Sequence, residues 1–305
     1  MAQSYAVNLI SVIENYSDDD ACRELLEKAR WPNGIACPKC GNASVSRLAK
    51  RDQFECNACR YRFSVTSGTI FHDSHLPLRK WILAVYIMCE SKKSISSRQL
   101  SRMLHVTPKT AWYLAHRIRE ALRLDNPRQL SGTVELDETY IGGKVHGKGK
   151  GYIDNKTMVK GAVERGGEVR LETGKSATKA EIQDFIIRNV SPDAEAIYTD
   201  EHASYGDLND SNTRHERVAH KQEEWVRGDV HTNTVEGSWA LFKRGVVGSY
   251  HKVSEKHLPR YLDEFAFRWN NRDNPHIFRD AVRELVTAGT LEYRELVGTE
   301  LKAGL

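Results

Sequence analysis

No part of this 305-residue sequence approaches the run of about 20 apolar residues that a membrane-spanning helix requires, so no membrane partner is expected. The first twenty residues lack a basic start and a small-residue cleavage site, which predicts no secretory signal and a cytoplasmic location. A phosphate-cradling P-loop is missing too. Gly142 and, after four intervening residues, Gly147-Lys148 approach that pattern, but Gly149 follows where a Ser or Thr would hold magnesium, and no apolar helix starts there. Residues 142–151 are read instead as a basic loop after a strand, either touching nucleic-acid phosphates or having no fixed structure.

Charge of one sign is not dominant over the whole chain, whose formal net charge is only +4. Its distribution is uneven. Between Leu76 and Leu130 stand eleven Lys/Arg against three Asp/Glu, leaving 34 against 38 elsewhere. One middle segment therefore carries the basic character, as a nucleic-acid-binding module would.

Cysteine is scarce, with six in all, but four of the six fall in two pairs. Cys37-Pro38-Lys39-Cys40 and Cys56-Asn57-Ala58-Cys59 are separated by fifteen residues of polar, strand-like sequence. Each Cys-x-x-Cys makes a tight turn that aims two sulfurs at one point, and two such knuckles complete a tetrahedral zinc site. Structural disulfides are the competing reading and need an oxidising compartment. A helix over Asp19–Arg30 and a turn at Trp31-Pro32-Asn33-Gly34 precede the ribbon. Cys22 and Cys89 fall at apolar helical positions and read as small buried hydrophobes.

The basic segment is helical. Trp81, Ile82, Val85, Tyr86 and Cys89 repeat at helical spacing over Leu78–Glu90. Ser96 with Gln99 opens a short helix carrying Leu100, Met103 and Leu104. After a turn at His105-Val106, Thr107-Pro108 gives an N-cap and a first-turn proline. The helix so begun places Ala111, Leu114, Ala115, Ile118 and Leu122 on one face and Lys109, His116, Arg117 and Arg123 on the other. Two short helices with a tight turn fit a helix-turn-helix, with Lys109, Arg117 and Arg123 as the expected DNA contacts; a bundle used only for packing is the bland alternative.

From Thr133 to Arg272 the pattern is mixed α/β. Thr133–Ile141 reads as a strand with Val134 and Leu136 on one face and Glu135, Asp137 and Thr139 on the other. Strands over 159–163, 169–173 and 196–199, and helices over 176–189, about 233–243 and 258–271, follow. Three acidic residues then stand where phosphoryl transfer by two divalent metals would need them. Asp137 is mid-strand, Asp200 ends a strand, and Glu236, after thirty-five intervening residues, opens a helix. Each has a plainer reading: a turn residue for Asp200, or a helix-capping partner of Asn233 for Glu236. Their order and placement together favour the metal site. Lys243, seven residues after Glu236 on the same helix face, offers a cation to a DNA backbone, or simply complements the helix dipole.

These residues resemble a known family. Arg30-Trp31-Pro32-Asn33-Gly34 leading to Cys37-Pro38-Lys39-Cys40-Gly41 carries the likeness, with the run from Val134 to Gly143 and Tyr198-Thr199-Asp200 followed by Ser204-Tyr205. So do His231 through Trp239, Leu241 to Gly245, Tyr261 to Phe265, and Trp269-Asn270 with Arg272. Together they are similar to bacterial insertion-sequence transposases of the IS1595 (ISXO2-like) group, over nearly all of the chain to about Arg272.

The resemblance implies a zinc ribbon, an RNase H-like DDE-type catalytic domain, and action on the inverted-repeat ends of a mobile element. Members of that group use either an asparagine or a glutamate as third metal ligand. Asn233 and Glu236 both lie in the matching stretch; Glu236 is favoured because a carboxylate binds magnesium better than an amide. Glu138 and Glu201 sit beside the two aspartates, and strand alternation turns Glu138 away.

The fold class expected is multidomain α/β: a helix and zinc ribbon over 1–75, a helix-turn-helix over 76–130, an RNase H-like domain with a mixed sheet over 131–275, and a polar helical tail over 276–305. The expected cofactors are Zn2+ in the ribbon and Mg2+ or Mn2+ in the catalytic site. Double-stranded DNA, as transposon ends and target, is the expected partner, with a homo-oligomer assembling on it near the bacterial nucleoid. A zinc-dependent regulator that binds without cutting, and an RNase H-like nuclease that cuts without joining, are the alternatives.

Overall fold

The computed structural model describes residues 7–143, 155–176, 178–200, 205, 214–218 and 226–298. The chain divides into two compact units, 1–122 with 274–305, and 123–273. The greater part of the basic loop 142–151, and Glu201, lie outside the described residues. No helix among the described residues is long and apolar enough to cross a membrane.

The first unit opens with α1 (Leu9–Asn15) and α2 (Asp19–Arg30). Asp18 caps α2 by accepting from Asp20 N and Ala21 N, and the helix runs from acidic to basic residues, matching its dipole. Strands β1 (Val45–Leu48), β2 (Gln53–Cys56) and β3 (Arg62–Phe63) pair antiparallel in that order. Helices α3 (Leu78–Glu90), α4 (Ser97–Leu104) and α5 (Pro108–Ala121) follow. Ser96 Oγ accepts from Gln99 N and Thr107 Oγ1 from Thr110 N, the two caps expected. His105, in the left-handed region at φ 53°, makes the tight turn between α4 and α5. Cys22 and Cys89 are both buried.

The second unit holds β4 (Thr133–Ile141), β5 (Thr157–Glu164), β6 (Val169–Gly174), α6 (Lys179–Asn189), β7 (Ala196–Thr199), β8 (Arg214–Arg217), α7 (Asn233–Gly245) and α8 (Leu258–Asn270). Its sheet has the order β6-β5-β4-β7-β8. The first three strands form an antiparallel meander, and β7 and β8 run parallel to β4. That is the RNase H-like arrangement, a mixed sheet with β4 in the middle. Val134, Leu136, Ala162 and Ile197 pack on one face with Ile182 and Phe185 of α6. On the other face Val159 and Val163 meet Val235, Trp239 and Phe242 of α7 and Leu262 and Phe265 of α8. Strand β8 has no counterpart in the sequence reading, because Arg214-His215-Glu216-Arg217 has no apolar alternation to announce it.

The chain then returns to the first unit with α9 (Ile277–Thr287) and α10 (Tyr293–Val297). The tail is not merely polar. Phe278, Ala281, Val282, Leu285 and Val286 are buried on α9, which packs against α2, α3 and α5.

Candidate active site

Asp137 lies mid-way along β4, the central strand of the sheet. Parallel pairing sets Thr133 against Ala196 and Glu135 against Tyr198. The pairing ends there; two residues further along each chain come Asp137 and, just past the end of β7, Asp200, close enough for its charge to act on Asp137. Burial first, then the nearby charges of Glu138 and Asp200, push the Asp137 carboxyl up to about 7, against the Glu138 N–H and the Trp239 indole that hold it down. Negative charge is thus in surplus at this point, a condition that a divalent cation relieves.

Helix α7 lies across the face that carries Asp137, held there by Glu135. That carboxylate is wholly buried and accepts Thr234 N at 2.7 Å, Val235 N at 3.0 Å, Thr234 Oγ1 at 2.9 Å and Arg165 Nε at 2.6 Å. His231 Nδ1 stands 3.3 Å from the same oxygen as the arginine. An anion at a helix N-terminus satisfies donors that the helix itself cannot. One turn of α7 further on, Trp239 Nε1 donates to Asp137 Oδ2 at 3.0 Å. Glu236 stands three residues before Trp239, exposed, with Thr232 Oγ1 donating to its Oε1 at 3.0 Å. Asn233 and Lys243 are also exposed on this helix.

The three acidic side chains do not converge as tightly as the cysteines do. Among the described residues, Cys37, Cys40, Cys56 and Cys59 form the only group of three or more possible ligands whose ligand atoms all lie within 4.8 Å of one another. Ligands to two cations about 4 Å apart have a wider spread than that. The sulfurs stand 3.7 Å apart for Cys37 and Cys59 and 3.6 Å for Cys40 and Cys56. Zinc–sulfur bonds of about 2.3 Å in a tetrahedron put the sulfurs about 3.8 Å apart, so the cluster fits Zn2+. Each knuckle closes on a positive-φ residue, Gly41 after Cys40 and Arg60 after Cys59. Phe54 and Phe63, with Trp31 edge-on to both, make the small core beneath.

Two family models match the chain: a transposase zinc-ribbon domain over residues 17–62 and an ISXO2-like transposase domain over residues 129–270. An uncharacterized protein in the transposable element ISH50 of Halobacterium salinarum is 33% identical over 277 residues, covering 84% of this chain and 92% of that protein. The chain belongs to the ISXO2-like transposase family. That relative is archaeal, so the likeness extends beyond the bacterial elements expected. Among solved structures, a pre-cleavage Mos1 transpososome matches at 13% identity with a TM-score of 0.27, over 66% of this chain and 74% of that one. A Mos1 transposase paired-end complex with the left transposon end matches at 14% and 0.28, over 67% and 75%. The RNase H-like fold of this ISXO2-like transposase rests on its strand order and its family.

The DNA contacts expected on α5 need correcting. Arg117 is only 4% exposed: its Nη2 donates to His72 O at 2.6 Å, and its guanidinium lies over the Trp81 and Tyr113 rings. His116 and Arg119 are buried as well. An amphipathic pattern assigns polar residues to solvent, but this helix is covered on more than one side, and the long stem of an arginine packs readily on aromatics. Arg123 is not on the helix at all, because α5 ends at Ala121; it is exposed and donates to Asp125 Oδ1 at 3.0 Å. Lys109 is exposed in the first turn of α5, with its ammonium 4.8 Å from the Tyr293 ring centroid.

Reading the sequence of this transposase overlooked Glu135 and Trp239. A charged residue two before Asp137 on the same strand face was the available signal for the first. Nothing local announces the second. Glu138 does face away from Asp137, as alternation requires, and takes a hydrogen bond from the buried Tyr205.

Proposed function

We propose that this protein is an active DNA transposase that binds the inverted-repeat ends of its element, cuts them, and joins them to target DNA. Asp137, Asp200 and Glu236 are assigned as the carboxylates of a two-cation site, with Asn233 as the alternative third ligand. The observation that supports this is the parallel β4–β7 pairing, which ends two residues before Asp137 and Asp200, with Glu135 of β4 clasping the helix that carries Glu236. Divalent cations held there would supply positive charge to the attacking oxygen of a water or a DNA 3′-hydroxyl and to the leaving oxygen of the phosphodiester. The chain's own part is to hold three negative charges on rigid elements, two on strands and one on a helix pinned at its start. Lys243, two turns beyond Glu236, adds a cation for the DNA backbone.

DNA affinity is assigned to the first unit. With Arg117 buried, the accessible cations of the helix pair are Arg98 and Arg102, one turn apart on α4, and Lys109 at the start of α5. Helices of this kind read DNA with the N-terminal turn of the second helix, where Lys109 stands. Arg123 remains a backbone contact outside the pair, and a homo-oligomer on paired ends is the expected assembly.

The test is incubation with a pair of candidate ends and Mg2+, scoring joined products. Asp137→Asn, Asp200→Asn and Glu236→Gln each lose roughly a thousandfold or more in joining while retaining DNA binding. Joining by all three variants refutes the reading. An active Glu236→Gln with a dead Asn233→Ala moves the third ligand to Asn233.

A further inference from the structure

We propose that Trp239 is a positioning residue for Asp137, and that Gly161 exists to seat its indole. This rests on the reading of Asp137 as a cation ligand. Asp137 is paired directly with Gly161 across the β4–β5 ladder. A Cβ built on Gly161 would overlap the indole, with Trp239 Cη2 2.7 Å away and Cζ2 closer still. The Cζ2–Cη2 edge of the ring therefore abuts β5 at Gly161, where any side chain would collide with it, immediately beside the aspartate. From there its N–H reaches Asp137 Oδ2 at 3.0 Å.

The consequence is orientational. A carboxylate at the end of a two-torsion side chain turns easily, because its terminal torsion has a broad, shallow profile. A buried indole N–H has a single donor in a fixed direction. Trp239 is 4% exposed and held by Val235, Phe242 and the sheet, so that direction does not wander. Hydrogen bonding at Oδ2 stops the carboxylate from turning and leaves Oδ1 to the cation. An outer donor that fixes a ligating group in this way raises metal affinity by one to two orders of magnitude in comparable sites. The glycine, the indole and the aspartate thus form one device, assembled from β5, α7 and β4.

The experiment measures Mn2+ binding to the full-length, zinc-loaded protein without DNA, by the electron-spin resonance of free Mn2+, alongside strand transfer at saturating DNA. Trp239 is replaced by β-(3-benzothienyl)alanine, which keeps the bicyclic shape and puts sulfur where the N–H was. The expected result is a native fold with a melting temperature lowered by a few degrees at most, roughly tenfold weaker Mn2+ binding, unchanged DNA affinity, and joining that recovers as Mn2+ is raised. Gly161→Ala, which pushes the indole off its seat, should weaken Mn2+ binding in the same way. Native Mn2+ affinity in the benzothienyl variant overturns the proposal. Asp137→Asn separates the two claims: if it loses Mn2+ while the benzothienyl variant does not, only the positioning role fails. If Asp137→Asn itself binds Mn2+ as the native protein does, Asp137 is no ligand, and the site reading falls together with the inference.

Discussion

Replacing Glu135 with glutamine tests how α7 is held against the sheet. The carboxylate takes two backbone N–H groups of α7 on one oxygen, and the Thr234 hydroxyl and Arg165 Nε on the other. An amide has one oxygen. If it serves the helix, its NH2 faces Arg165 Nε, donor against donor; if it serves the arginine, Thr234 N and Val235 N lose their acceptor. Breaking a buried charge pair by removing one partner costs about 3–5 kcal/mol. The Arg165 side chain is 24% exposed and also donates to Asp229 O and His231 O, so the lower end, about 3 kcal/mol, applies. For the second unit, residues 123–273, that lowers the melting temperature by roughly 6–12 °C. Amide exchange supplies the local readout: the Thr234 and Val235 N–H groups should lose protection before the strands do, and joining activity should fall with them. If both amides keep native protection and the melting temperature moves by no more than about a degree, Glu135 is not the clasp.

Cys56→Ser should release the zinc and unfold the ribbon locally while the second unit still melts as a folded domain; elemental analysis together with calorimetry reads both. Changing Arg98, Arg102 and Lys109 together to glutamine should weaken DNA binding and reduce its salt dependence by about three phosphates' worth. Arg117→Gln should instead lower stability and leave the salt slope alone. Glu164 gives a pH signature. Burial would raise its carboxyl, but the Arg128 guanidinium and the Gly132 and Ser131 N–H groups bring it down to about 2. A depressed folded value contributes stability above the ordinary value near 4.5 and loses it as pH falls toward 2. Allowing for screening at the half-exposed Arg128, the contribution is about 2 kcal/mol, so the stability gap between the native protein and Glu164→Gln should close as the solution is taken from pH 5 to 2.

Local signals were enough for most of the elements and for the paired cysteines. Thr107-Pro108 and Ser96 start helices by chemistry confined to four residues, and the two Cys-x-x-Cys turns bring sulfurs together within their own knuckles. Strand β4 was legible with its faces because alternation has a period of two and nothing remote can change it. The order of Asp137, Asp200 and Glu236 along the chain pointed to the site for a similar reason: each sits at an element boundary or mid-point that the pattern itself marks.

What the tertiary structure alone decided is what each polar side chain meets. Glu135 read only as a strand-face neighbour of Asp137, yet its partners Thr234 and Val235 are 99 and 100 residues away. Trp239 and Gly161 lie on different elements, and only packing makes one the seat of the other. Arg117 read as a DNA contact until the His72 carbonyl and two aromatic rings closed around it. Periodicity says which residues share a face, because backbone geometry repeats. Whether that face meets water, another element or a ligand depends on contacts between distant parts of the chain, and no local pattern encodes those.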